Sequence, residues 1–117
     1  MNNEQAQTVN AIADQIYQNN KAVGWWDKER NKGEVIALMH SELSECLEGV
    51  RKDSMDDHLP HRKMEEVELA DAVIRIFDYA AGFGWDLGGA MVEKLEYNKN
   101  RADHKRENRE KPGGKKI

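Results

Sequence analysis

Cysteine, proline and long apolar runs are all scarce in this chain of 117 residues. The single cysteine, Cys46, excludes an intramolecular disulfide and is typical of proteins of the reducing cytosol. No stretch is apolar for long enough to span a bilayer, and the amino terminus carries no apolar run, so we expect a cytoplasmic protein without membrane contact. The formal net charge of −4 gives no electrostatic basis for binding nucleic acid.

Helical periodicity is what the chain does have. Only two prolines occur, and neither interrupts a periodic segment. Apolar residues recur at helical spacing in four segments, and no strand alternation or internal repeat is present. We predict an all-α, four-helix bundle-like subunit, with one domain over residues 1–102 and a charged, flexible tail over 103–117. The four helices are expected at about 4–21, 34–51, 62–81 and 86–101, with Asp86 capping the fourth and Gly82 in the left-handed cap position of the third.

The third predicted helix is apolar on most of its circumference, although the chain as a whole is polar. Hydrophobic residues make up 38% of the sequence and charged residues 34%. A helix that is apolar on most sides must be covered on most sides. We therefore place it centrally and expect part of its surface to be buried between subunits, in a homodimer at least.

Two short acidic motifs are the most informative feature of the sequence. Glu42-Leu-Ser-Glu45 lies in the second helix and Glu68-Leu-Ala-Asp71 in the third. Residues three apart share one helix face, so the two pairs can meet if the helices run antiparallel. Four carboxylates in a confined space repel one another unless cations lie between them, and an all-oxygen cluster suits Mg²⁺ or Mn²⁺. The alternative is that all four are ordinary solvated charges.

The helical wheel distinguishes the members of these motifs. Glu42 and Glu45 continue the apolar line of Val35 and Leu38 on the second helix, which favours an inward orientation. Asp71 also borders apolar residues. The inward orientation of Glu68 does not follow from the wheel.

The fourth helix adds a basic face. Lys94, Asn98 and Arg101 stack on one side of it, and two cations with an amide beside a polyacidic metal site indicate a phosphate ligand. The alternative is that the cations pair with neighbouring acids such as Glu93 or Glu96.

Three segments together resemble one known family, the all-α NTP pyrophosphatases of the MazG-like group, which are related to dimeric dUTPases. The segments are residues 40–48, 68–78 and 94–101, and the Gly-Gly-Lys run at 113–115 resembles an ending found in close relatives. Pro112 stands where those relatives have histidine. The resemblance covers roughly residues 24–117.

The resemblance implies hydrolysis of a nucleoside triphosphate between its α and β phosphates, in a subunit of a tetramer built as two dimers. It implies that Mg²⁺, or Mn²⁺, is held by the four acids Glu42, Glu45, Glu68 and Asp71. Of these we assign Glu45 as the general base for the attacking water. The phosphates would be bound by Lys94, Asn98 and Arg101, and Lys115 is a candidate site residue from the tail.

Aromatic residues near the second helix are candidates for contacting the nucleobase. Trp25 and Trp26 can stack on a base, or they can pack against the first helix or a neighbouring subunit. His40 can face the nucleotide or serve as a polar core residue. A ferritin-like di-iron bundle is disfavoured because no glutamate has histidine three residues later. A non-catalytic helical adaptor, with the acids on its surface, is the competing interpretation.

Overall fold

The computed structural model describes residues 1–101 and 106–114 of the chain. Within these residues the only regular elements are five α-helices, and Met55 and Lys63 form one isolated bridge. The prediction of an all-α protein is confirmed, and the four predicted helices occur within a few residues of their expected bounds. The helices are α1 (Asn3–Ala22), α2 (Lys32–Lys52), α3 (Met64–Gly82), α4 (Leu87–Asn100) and the short α5 (Arg106–Arg109).

The chain folds as two compact units. One, the central unit, comprises residues 11–85 and holds α2 and α3; the other, the terminal unit, comprises residues 1–10 and the chain from Asp86 onward. The domain bounds 1–102 and 103–117 stay predictions. No helix in the described residues combines the length and apolar character that crossing a bilayer requires.

Local sequence signals set both ends of α2. The side chain of Asn31 accepts a hydrogen bond from the Glu34 backbone N–H at 3.0 Å, which satisfies one of the free donors at the helix start. Basic residues occupy its last turn, where they complement the helix dipole. Asp53 ends the helix in the left-handed conformation at φ 48°.

The end of α3 differs from its prediction. Gly82 is the last helical residue, and the left-handed conformation falls on Gly84 at φ 78°, so the expected role of Gly82 as left-handed cap is wrong. The physical reason for a glycine at position 82 is close packing, since a Cβ there would overlap the ring of Trp26.

α2 and α3 pack against each other as an antiparallel pair. The buried residues of α2 form one line along the helix, seven residues apart: Val35, Glu42 and Gly49. Gly49, near the end of α2, lies against Met64 and Glu65 at the start of α3, where a Cβ would stand 2.9 Å from the Glu65 nitrogen. The antiparallel arrangement brings the middle of α2 opposite the middle of α3, which is where the acidic motifs lie.

In the terminal unit, Asp86 caps α4 as predicted. Its Oδ1 accepts the Gly89 backbone N–H at 2.8 Å and the Asn10 side-chain N–H at 2.7 Å. The Asn10 side-chain oxygen in turn accepts the Gly88 N–H at 2.8 Å. These bonds fix the amino-terminal segment of the chain to the start of α4.

Much of the apolar surface of the α2–α3 pair remains exposed. The residues concerned recur at helical spacing on each helix: Ile36, Leu43, Leu47 and Val50 on α2, and Leu69, Val73 and Ile76 on α3. We call them the apolar stripes. The prediction that α3 is covered on most sides is therefore not met within a single chain.

Candidate metal centre and phosphate cavity

Three of the four predicted acids meet between α2 and α3. Glu42 comes from α2, and Glu68 and Asp71 come from one face of α3, and each offers a carboxylate oxygen within 4.8 Å of the other two. Glu42 is buried, and the other two are half-buried. The spacing of three residues within the α3 motif and the antiparallel packing of the helices together produce this acidic cluster.

Glu45, the fourth predicted acid, lies at the edge of the cluster. It is exposed and is not one of the three residues whose oxygens converge. Its charge nevertheless contributes to raising the pKa of Glu68, so the two carboxylates are close neighbours. This position leaves Glu45 accessible to water beside the cluster.

The environment of Glu68 is unfavourable for a free carboxylate. Its Oε2 is buried and has no hydrogen-bond partner among the residues that the structure describes. Burial is the largest of the causes that raise the pKa of Glu68 to about 8. The next causes are the hydrogen bonds that a protonated Glu68 can donate to Glu42 and Glu45, and then the repulsion from their charges. Burial and the charge of Glu42 also raise the pKa of Asp71, and the Arg75 guanidinium acts in the opposite direction.

These properties fit a hard divalent cation. The donors are all carboxylate oxygens, the set that Mg²⁺ and Mn²⁺ prefer. The unpartnered Glu68 Oε2 is an acceptor without a donor, which a cation would satisfy. In its absence a proton on Glu68 reduces the negative charge of the cluster, as the raised pKa indicates.

Two arginines that sequence reasoning did not assign lie beside the acids. Arg75 donates from Nε to Glu42 Oε1 at 3.1 Å. Arg30 lies 3.5 Å from Asp78 Oδ2 through Nη1, and its guanidinium is 5.2 Å from the centre of the Trp26 ring. The spacing on α3 places Asp71, Arg75 and Asp78, which are four and then three residues apart, on one face, but it does not indicate that Glu42 or Arg30 pairs with them.

A cavity of about 200 Å³ lies beside the cluster, lined by Glu42 and Asp71 of the cluster, by both arginines and by Trp25. Pockets for whole drug-sized ligands occupy roughly 300–1,000 Å³. The cavity therefore has the size of a phosphate-scale group rather than of a complete nucleotide. Its walls carry both signs of charge: Glu42, Asp71 and Asp78 against Arg30 and Arg75.

The candidate base-contacting residues have different surroundings. Trp25 is 58% exposed and lines the cavity. Trp26 is half-buried and packs edge-on against Tyr17 and Phe83, each with ring centres 5.3 Å away, so its contacts are those of a structural residue. His40 is exposed on α2.

The predicted phosphate-binding residues belong to the terminal unit. Lys94 is exposed, with Nζ 4.6 Å from the centre of the Tyr97 ring. Asn98 has a buried side-chain oxygen that accepts no hydrogen bond from the described part of the chain. Arg101 follows the last residue of α4 in extended conformation, so only Lys94 and Asn98 are helical. Lys115 lies outside the described residues.

Comparison of the chain with protein-family models, with curated proteins and with solved structures finds no significant match. The resemblance to the MazG-like group rests on the sequence segments themselves.

Proposed function

We propose that this chain is a Mg²⁺-dependent nucleoside triphosphate pyrophosphohydrolase, which converts an NTP or dNTP and water to the monophosphate and pyrophosphate. The observation that carries the proposal is the convergence of Glu42, Glu68 and Asp71 within 4.8 Å, beside a cavity of phosphate size. The order of motifs along the chain, which resembles that of the MazG-like group, supplies the reaction class.

Each acid has a distinct role in this proposal. Glu42, Glu68 and Asp71 would hold Mg²⁺, or Mn²⁺, through their converging oxygens. When bound, the cation supplies positive charge that offsets the negative charge of the phosphates. Glu45, exposed at the edge of the cluster, would accept the proton of the water that attacks at phosphorus.

Basic and aromatic residues also have roles in this proposal. As the resemblance implies, Lys94, Asn98 and Arg101 would donate to phosphate oxygens. Trp25 has the exposed indole that stacking on a base requires. We propose the cytoplasm as the location, consistent with the single cysteine.

The direct test is to incubate the pure protein with Mg²⁺ and a panel of NTPs and dNTPs, including modified bases, and to measure pyrophosphate release. We expect Glu42→Gln and Asp71→Asn to abolish release while the helical circular dichroism is retained. Glu66→Gln is the matched control, because Glu66 is an exposed α3 acid that pairs with Arg62 at 3.4 Å, outside the acidic cluster. Failure of every substrate with both Mg²⁺ and Mn²⁺ would overturn the proposal.

We further propose that the protein assembles as a homodimer or, as the resemblance implies, a homotetramer. Support comes from the apolar stripes, whose exposure reaches 60% at Leu47 and 51% at Leu69. Covering them with a second copy would bury them as a domain core buries its own side chains. Sedimentation equilibrium should show an oligomer that Leu47→Glu weakens, and a stable wild-type monomer would contradict this assembly.

The apolar stripes also favour a second candidate function, a non-catalytic helical adaptor. In that case the stripes would bind a different protein, and the acids would be surface charges. The two functions differ in the pyrophosphate assay, because an adaptor releases no pyrophosphate from any substrate.

A further inference from the structure

Arg75 occupies an unusual position between the acidic cluster and the cavity. It lies one helical turn beyond Asp71 on the same face of α3 and donates from Nε to Glu42 Oε1 at 3.1 Å. Its side chain is 32% exposed, whereas that of Glu42 is 10% exposed. Its terminal nitrogens donate to no protein acceptor in the described part of the chain, so two donor groups remain unused beside the cavity.

The other arginine of the cavity is held differently. Arg30 is paired with Asp78, which lies outside the converging acids, and its guanidinium lies near two indole rings. A cation bound to the cluster would leave that pair intact. The partner of Arg75, by contrast, is Glu42, a member of the cluster itself.

This difference has a thermodynamic consequence. A guanidinium paired with Glu42 competes with any divalent cation for that carboxylate and repels it as a like charge. Once a divalent cation takes over Glu42, the guanidinium charge is no longer neutralised and can attract an anion. Arginine is suited to this because its planar fork can hold one acceptor through Nε and another through its terminal nitrogens.

We propose that Arg75 is a positioning and phosphate-binding residue that couples cation binding at the acidic cluster to triphosphate binding in the adjacent cavity. Without an anion, Arg75 opposes cation binding; with the cation in place, it donates to a phosphate oxygen. Each ligand therefore raises the affinity for the other. The inference rests on the proposed function and adds to it a residue that sequence reasoning had not assigned.

The test measures two affinities separately by calorimetry: Mg²⁺ alone, and a nonhydrolysable α,β-imido nucleoside triphosphate at saturating Mg²⁺. For Arg75→Gln we expect opposite changes. Mg²⁺ alone should bind several-fold more tightly, because a competing cation is gone. The analogue should bind roughly 10- to 100-fold more weakly, the effect of losing a charge-assisted hydrogen bond.

Two further variants sharpen the experiment. Arg75→Lys keeps the charge but cannot hold both acceptors at once, so Mg²⁺ affinity should stay near wild type while analogue affinity falls. If Arg75→Gln fails to fold, the two affinities of Arg75→Lys test the coupling role of Arg75. Arg62→Gln is the control, since Arg62 forms an exposed ion pair with Glu66 outside the cavity and should change neither affinity.

The outcomes separate the inference from the proposed function. If both affinities fall together in Arg75→Gln, or neither changes, Arg75 has no coupling role and the inference is overturned, whatever the activity of the wild type. If the wild-type protein itself binds no divalent cation and releases no pyrophosphate, the proposed function fails and this inference fails with it.

Discussion

Trp26 donates its indole N–H to Asp78 Oδ1 at 2.9 Å, and Asp78 is a buried carboxylate on α3. The same carboxylate lies 3.5 Å from Arg30. Two residues of the segment before α2 are thus joined to α3 by one acid. This bond network fixes the segment that carries Trp26 and the cavity-lining Arg30 relative to α3.

Asp78→Ala should therefore destabilise the central unit strongly. It leaves an indole N–H unpaired and a largely buried guanidinium without its counter-charge, and we expect a loss of about 3 kcal/mol in the free energy of unfolding. Asp78→Asn should cost less, because the amide oxygen still accepts from Trp26. Urea denaturation measures both values. Glu48→Ala, at a surface pair with Lys52, serves as control; an Asp78→Ala loss as small as the control's would show that the network is not structural.

The stability of the cation-free protein should fall as pH rises, because of Glu68. Its pKa is about 8 in the folded protein against an ordinary 4.5, so the folded state holds the proton more tightly than the unfolded state. The stabilisation from this proton is complete below the pKa that Glu68 has in the unfolded protein, and it is lost as pH rises through about 8. Urea denaturation between these two pH values, without divalent ions, should show that the free energy of unfolding declines as pH rises. The decline should be smaller in Glu68→Gln. Parallel profiles for the two proteins would contradict the assignment.

The sequence predicted the elements and the approximate place of the acids better than their individual orientations. Helical periodicity located α1 to α4, and the continuation of the Val35 line correctly implied that Glu42 is buried. The same reasoning also pointed Glu45 inward, yet it is exposed. The wheel left Glu68 undetermined, and its buried oxygen results from the packing of α2 against α3, which a single helix does not encode.

The arginines escaped sequence reasoning for a related reason. An arginine four residues after an aspartate is typical of a solvated helix face, and nothing in the pattern of α3 alone indicates a partner on α2. Arg75 bonds to Glu42, which is 33 positions away in the sequence. Arg30 and Asp78 are 48 positions apart. Such pairs depend on how the helices pack, so they become visible only in the folded structure.

Binding of Mg²⁺ should release protons near neutral pH. With its pKa at about 8, Glu68 is mostly protonated at pH 7, and a carboxylate must be ionised to bind the cation. We expect each Mg²⁺ that binds at pH 7 to release about one proton. Below the pKa of Glu68, the affinity for Mg²⁺ should increase up to about tenfold per pH unit. Calorimetry in buffers with different ionisation enthalpies measures the protons directly. Binding enthalpies that are identical in all buffers would exclude a protonated ligand.

Glu45 and Glu42 should differ in what their removal changes. Glu45→Gln keeps the three converging oxygens, so Mg²⁺ affinity should change little, while turnover should fall by roughly 10²- to 10⁴-fold if the exposed carboxylate accepts the proton of the attacking water. Glu42→Gln removes one of the three converging carboxylates and should therefore weaken the binding of Mg²⁺ itself. Calorimetry together with pyrophosphate release separates the two effects. Equal losses of Mg²⁺ affinity in both variants would place Glu45 among the cation ligands and leave the general base to another residue.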